Sequence, residues 1–186
     1  MSHNSLIPPH GGYKQLESYK NTSTIYDGTV VFCKKYKSYL TYKLIEQMTG
    51  AARSGKQNIA EGTVISGTSK KTELKLIGVA KGSLKELLED YEDFLRQNGY
   101  ALWGKNDTRS RKIRSLVYVP NKSYTTYKTY IENSSPEIVA NTMICLINQT
   151  TYLIDRQLIS LENKFLRNGG FTERMYKFRQ MKTNKL

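Results

Sequence analysis

Between Ser69 and Asn98 the apolar residues Ile77, Ala80, Leu84, Leu87, Leu88, Tyr91, Phe94 and Leu95 recur at spacings of three and four. That period puts them on one stripe of a single long helix, a stripe too wide to leave in water and too one-sided to stand alone. Other helices must cover it. The ends are also written in the chain: Thr68 or Ser69 is an N-cap, and Gly99 is a C′ stop. Glu73 comes one position too late for a capping box with Ser69. The C-terminal half carries Glu86, Glu89, Asp90, Glu92 and Asp93. Lys85 lies four residues before Glu89 and Arg96 four after Glu92, so these acids predict a salt-bridged solvent face and not a catalytic carboxylate pair.

Three further segments share the helical period. One runs from Tyr13–Tyr19 to Tyr36, with Ile25, Val30, Val31, Cys33 and Tyr36 as its apolar face, weakened by Gly28. A second spans Ser38 to Ile65 and carries Leu40, Leu44, Ile45, Met48, Ala51, Ala52, Ile59 and Ala60. The last opens at Ser135-Pro136 and reaches Leu166, with Val139, Met143, Leu146, Leu153, Leu158, Leu161 and Phe165 inward and Gly169-Gly170 as its stop. Residues 100–135 have turn residues and interleaved tyrosines but no sustained period. They predict a long loop with short β pieces near Leu116–Val119. The expected fold is all-α, an antiparallel up-down-up-down four-helix bundle with a long insertion before the fourth helix. Residues 1–12 read as a flexible arm, 13–168 as the bundle with its insertion at 100–135, and 169–186 as a basic tail adding a helical turn or two.

Several functions drop out on composition. His3 and His10 both lie in the arm, so no histidine of the body can serve a Ser or Cys nucleophile, and no Cys/His cluster has metal-ligand spacing. Cys33 and Cys145 sit far apart among apolar residues and read as buried free thiols. No cofactor, metal or catalytic residue is expected. No apolar run is long enough for a membrane span, and the start lacks the layout of a secretory signal, so the expected location is cytoplasmic. The 26-residue stretch "AARSGKQNIAEGTVISGTSKKTELKL" from Ala51 has glycines but neither the dinucleotide nor the Walker spacing. It reads as a helix end, a tight turn and a helix start. Ala51, Ala52, Gly55, Ala60 and Gly62 are small enough to let helices or subunits press close. Asn58 reads as a register residue with Asn148-Gln149 as a candidate counterpart, and Glu61 as the partner of a cation on a neighbouring helix.

Charge points toward a partner. The chain has 29 basic and 16 acidic residues, a net charge of +13. The excess is spread, with residues 99–135 alone carrying seven basic against two acidic side chains. Such a field attracts polyanions, of which nucleic acid is the commonest in a cell. The candidate phosphate contacts are Lys34, Lys35, Lys37 and Lys43, interleaved with Tyr36, Tyr39 and Tyr42; Arg53 and Lys56; Lys70 and Lys71 at a helix start; and the dense run Arg109, Arg111, Lys112 and Arg114 on the expected loop.

The anchors Asn58-Ile59-Ala60-Glu61-Gly62, Ser69-Lys70-Lys71 and Ser83-Leu84-Lys85-Glu86-Leu87, spread over a match from about Tyr13 to Leu166, resemble a known family. Its members are small bacterial four-helix-bundle proteins first met as products of intervening sequences in large-subunit ribosomal RNA genes. The family includes the accessory variability determinant of diversity-generating retroelements, and "CLINQTTYLIDRQL" with the extended tail is similar to a longer branch of it. The resemblance implies an up-down bundle assembled as a cyclic homopentamer, binding RNA or DNA without sequence preference and docking on a reverse transcriptase. Many members have a basic pair before the Ala-Ala of helix two, where this chain has Thr49-Gly50, and Pro in the next turn, where it has Gly55-Lys56. The expectation is a non-enzymatic nucleic-acid-binding homo-oligomer. The alternatives are an adaptor for an acidic protein such as a reverse transcriptase and, third, a nuclease.

Overall fold

A computed structural model describes residues 6, 7 and 9–183, with the side chain of Lys182 excepted. Met1–Ser5 and Pro8 of the expected arm, and Asn184–Leu186 of the tail, lie outside the described residues. The chain is all-helical, and no strand occurs among the described residues. Seven α-helices follow in order among the described residues: α1 (Glu17–Lys35), α2 (Tyr42–Ile65), α3 (Lys70–Gln97), α4 (Thr108–Ser115), α5 (Tyr124–Glu132), α6 (Pro136–Asn168) and α7 (Phe171–Thr183). The four long ones make a closed circuit of contacts: α1 packs on α2 and α6, and α3 packs on α2 and α6.

Local chemistry sets most of the boundaries. The Ser69 hydroxyl accepts from the Thr72 N–H at 3.2 Å to start α3, and Gly99, at φ +70°, ends it. Gly169 has φ +67° after α6. The second helix starts later than its apolar pattern implied. Lys37–Tyr39 wind into a 3-10 turn, and the Thr41 hydroxyl then caps α2 by accepting from Leu44 N–H. A capping hydroxyl outranks the weak periodicity of Leu40 in fixing that start.

The stripe of α3 is buried along its length, with Ile77, Ala80, Leu84, Leu87 and Tyr91 fully enclosed. Helix α1 meets it with an unusually polar inner face. Ser18, Asn21, Thr22, Thr24 and Thr29 are all buried, and Phe32 carries the apolar contact where Val30 and Val31 are only half covered. Thr22 and Thr24 return their hydroxyls to carbonyls of the preceding turn. Two bonds cross between helices: Tyr91 Oη donates to Thr29 Oγ1 at 3.1 Å, and Ser18 Oγ to Gln157 Oε1 at 2.8 Å. On α6, Val139, Met143 and Leu146 are buried as the spacing predicted, whereas Leu153, Leu158, Leu161 and Phe165 are half-buried.

The small residues of α2 work inside the chain. Ala51, Ala52, Gly55 and Gly62 are buried, and Ala60 is partly so. A Cβ at Gly55 would stand 3.0 Å from Leu84 Cδ2, so α3 lies against bare backbone there. The Ser54 and Ser83 hydroxyls bond across the same seam at 2.9 Å. Asn58 serves that seam from one side: its amide donates to the carbonyl and hydroxyl of Ser54, one turn back, and not to Asn148 or Gln149. Glu61 is exposed and has no ion pair among the described residues, which corrects the expected interhelical pairing. The cation across the α2–α3 joint is engaged on its own helix: Lys70 pairs with Glu73 at 2.8 Å.

Residues 100–135 overturn the expectation of a loop with β pieces. Helix α4 is capped by Asp107, whose carboxylate accepts from the Arg109 N–H at 2.8 Å, and anchored by buried Ser110 and Ile113. Leu116–Tyr118 form a 3-10 turn, and α5 buries Tyr127 and Ile131. The basic tail is also longer in structure than expected. It forms the 13 residues of α7, and Arg174 Nη2 donates to the Gly67 carbonyl at the α2–α3 joint.

The two kinds of glycine on α2 predict opposite outcomes. A Cβ at Gly50 would meet nothing within 4 Å, so Gly50→Ala should stabilise by up to about 1 kcal/mol through helix propensity. Gly55→Val should instead overpack the Leu84 contact and cost about 1–3 kcal/mol. Urea melts of the two variants beside the parent protein measure both signs.

Candidate nucleic-acid interface

The helix directions sort the twelve basic candidates into two ends. The C-terminus of α1, the N-terminus of α2, the C-terminus of α3 and the N-termini of α4 and α6 meet at one end. Lys35 Nζ donates to the Glu132 and Ser134 carbonyls at 2.7 and 3.0 Å, and Tyr36 Oη also donates to Ser134, so α1 is strapped to the α5–α6 joint. Phe94 of α3 stacks edge-on against Tyr39 and tilted against Tyr100. Trp103 reaches α6: its backbone N–H donates to Asn141 Oδ1 at 2.8 Å and its indole N–H to Glu137 at 3.2 Å. Lys34, Lys35, Lys37 and Lys43 therefore share an end with Arg109, Arg111 and Lys112, while Arg114 lies further along, its carbonyl meeting Gln149 about 20 Å down α6 at 1.5 Å per residue. Lys70 and Lys71 sit at the other end of α2, about 36 Å away at 1.5 Å per residue, with Arg53 and Lys56 between.

Partners divide the candidates again. Arg109 is neutralised and structural. It clasps Asp107 through Nε and Nη2 at 3.1 and 2.8 Å, reaches Glu137 at 3.5 Å, and lies over the Trp103 ring at 4.4 Å. Lys70 is held by Glu73, Lys35 by two carbonyls, and Lys56 over the rings of Tyr19 and Tyr26 at 5.9 and 5.4 Å. Arg114 donates to the Lys105 carbonyl at 2.7 Å but meets no carboxylate. Lys34, Lys37, Lys43, Arg53, Lys71, Arg111 and Lys112 are exposed and have no carboxylate partner among the described residues. The expected loop is instead helix α4, which carries the basic run and buries Ser110 and Ile113.

Four contributors escaped the sequence reading. Between α4, the following 3-10 turn and α6 lies a cavity of about 730 Å³. Trp103, Lys105, Arg114, Tyr118, Gln149 and Tyr152 are among its lining residues, and no carboxylate is. Trp103, Lys105 and Tyr118 carried no helical signal, and Tyr152 lay on the expected fourth helix without a role assigned to it. The available cue was aromatic content: the only tryptophan of the chain and interleaved tyrosines in one basic stretch.

Chemistry elsewhere is quiet. No group of three or more His, Cys, Asp or Glu residues is placed to hold a metal among the described residues. Burial, with the nearby Asp90 charge, pushes the Cys33 thiol up to about 11, and burial also raises Cys145; both are free and buried. No helix among the described residues is long and apolar enough to cross a membrane. The chain matches no family model, no curated protein and no solved structure.

One carboxylate of α3 departs from the expected solvent face. Asp90 is buried against α2, where Gln47 Nε2 donates to its Oδ1 at 2.7 Å while Oδ2 has no partner. The expected pairings of the neighbouring acids do not form: Arg96 pairs with Asp93 at 2.6 Å rather than with Glu92, and no Lys85–Glu89 pair occurs among the described residues. Burial pushes Asp90 up to about 6; the Gln47 bond opposes this, and Glu86, Asp93 and Glu89 add to it. The folded state therefore keeps a proton that the unfolded chain has released. The contribution of Asp90 to stability is greatest below the ordinary carboxylate range, falls as pH rises from about 4 through about 6, and is level above. Asp90→Asn should raise Tm by roughly 2–6 °C at pH 8 and give little gain near pH 4, as thermal melts at the two pH values would show.

Proposed function

We propose that this protein is a non-enzymatic, basic helical bundle that binds RNA or DNA with little sequence preference. The observation that carries the reading is the set of exposed cations without carboxylate partners at one end of the molecule: Lys34, Lys37 and Lys43 on the α1–α2 corner, with Arg111 and Lys112 on α4. Tyr39 and Tyr42, 47% and 75% exposed, stand among the first group. Cations that follow a sugar–phosphate backbone, and rings that accept a base face, are the parts sequence-tolerant binding needs. The Cys33 and Cys145 thiols are buried with raised pKa values and the helical body has no histidine, so neither residue type supplies a nucleophile or general base at neutral pH, which favours binding over cleavage.

The four long helices are proposed as an up-down-up-down bundle, with α4 and α5 as an insertion before its fourth helix. The short α2–α3 joint and the circuit of helix contacts support that arrangement. Self-association is proposed with it, as a homopentamer on the family resemblance. The exposed apolar residues Val64, Ile65 and Val79, near a shallow recess lined by Tyr13, Ala60 and Leu76, give such an assembly a surface to cover. The same basic end would also suit an acidic protein such as a reverse transcriptase. Co-purification that survives nuclease treatment would favour that adaptor reading.

Binding should be salt-dependent. A plot of log affinity against log salt should have a negative slope, and Arg111→Gln with Lys112→Gln should reduce that slope by about 2. Arg109→Gln should leave the slope nearly unchanged and lower Tm instead, because its charge is already paired. Gel retardation and fluorescence anisotropy over about 50–200 mM salt test this. No retardation of RNA or DNA at the low end sinks the reading.

A further inference from the structure

The cavity between α4 and α6 carries a more specific assignment. It rests on the nucleic-acid reading above and gives that reading a ligand. We propose that this cavity takes one unstacked base of a single-stranded nucleic acid.

Four properties of the lining point the same way. The volume, about 730 Å³, is within the range of small-ligand sites, roughly 300–1,000 Å³. Two tyrosines from different elements, Tyr118 at 86% and Tyr152 at 64% exposure, line it and leave most of their rings to solvent. Aromatic rings held in water beside a cavity are platforms for a base. Lys105 and Arg114 add two positive charges with no carboxylate in the lining, which fits the phosphates on either side of a base.

The fourth property concerns hydrogen bonding. Gln149 Nε2 donates to the Arg114 carbonyl at 3.0 Å. A carbonyl can only accept, so this bond fixes which end of the amide is nitrogen. Gln149 Oε1 is left buried with no donor among the described residues. A buried acceptor without a donor is a place for an N–H, and the exocyclic amines of cytosine, adenine and guanine supply one. Uracil and thymine have no such amine, and their ring N3–H lies between two carbonyl oxygens that would face the same acceptor and repel it. A duplex offers no unstacked base at all, so it would reach the surrounding cations and not the cavity.

Trp103 lines the same cavity and is the only tryptophan of the chain, so its emission reports occupancy directly. The test is titration of the full-length protein with 12-mers of oligocytidylate, oligouridylate and a duplex of equal length, followed by Trp103 emission and by anisotropy of labelled strands. Oligocytidylate should perturb Trp103 and bind about three- to tenfold more tightly than oligouridylate, while the duplex binds with Trp103 unchanged. The variant Tyr118→Ala/Tyr152→Ala, at two exposed positions, should weaken single-strand binding about tenfold or more and leave duplex binding as it was. Gln149→Leu should bring the two homopolymers to equal affinity. Single strands that bind the tyrosine variant like the parent, or binding that leaves Trp103 unperturbed, overturn the pocket alone. Failure of every strand to bind, the duplex included, overturns the nucleic-acid reading and the pocket together.

Discussion

Asn141 holds the candidate site to the rest of the molecule. Its side chain is almost fully buried on α6 and spends both ends on the chain that leaves α3: Nδ2 donates to the Ala101 carbonyl at 2.9 Å, and Oδ1 accepts from the Trp103 N–H. A second donation from Nδ2 to the Glu137 carbonyl keeps the amide oriented. A buried side-chain amide satisfied in this way is hard to move, because any shift strands several polar groups at once. The position of Trp103 follows from it, then Arg109 stacked on Trp103, then the start of α4. That clamp, with buried Ser110 and Ile113 and the Gln149 bond to Arg114, fixes the basic run of α4 relative to the cations of the α1–α2 corner.

The long helices were legible because their apolar periods are strong and their ends have specific chemistry, as at Ser69, Gly99, Pro136 and Gly169. The small residues of α2 were also legible as a close-contact surface, although sequence left open whether a helix or a subunit would press there; Leu84 and Ala80 of α3 fill the place within the chain. The insertion was not legible for a physical reason. The eight residues of α4 contain one large apolar residue, Ile113, so no period of 3.6 can emerge from them. Its helix depends on the Asp107 cap and on tertiary anchors that no local window contains. Helix α1 misled in a milder way, since buried threonines that satisfy their own hydroxyls resemble a solvent face in sequence.

Side-chain pairing was the least legible layer of the site. Twelve basic residues looked alike as letters, yet Arg109 and Lys70 are bound to carboxylates and Lys35 to carbonyls. Their partners lie between two and about a hundred residues away, and sequence distance gives no guide to which cation stays free. The same holds for Gln149, whose orphan acceptor exists only because Arg114 of another helix takes its nitrogen.

The acidic half of α3 acquires a different meaning beside this end. Glu86 and Glu89 are exposed on the flank of the helix whose C-terminus joins the basic region. On the reading proposed above, a polyanion drawn toward Lys34, Lys37 and Arg111 would meet a fence of like charge along that flank. Such a fence would give the approach a direction: a strand could cross the end of the bundle but would be turned aside from running down α3. Attraction would then set where a strand lands, and the acids which way it leaves.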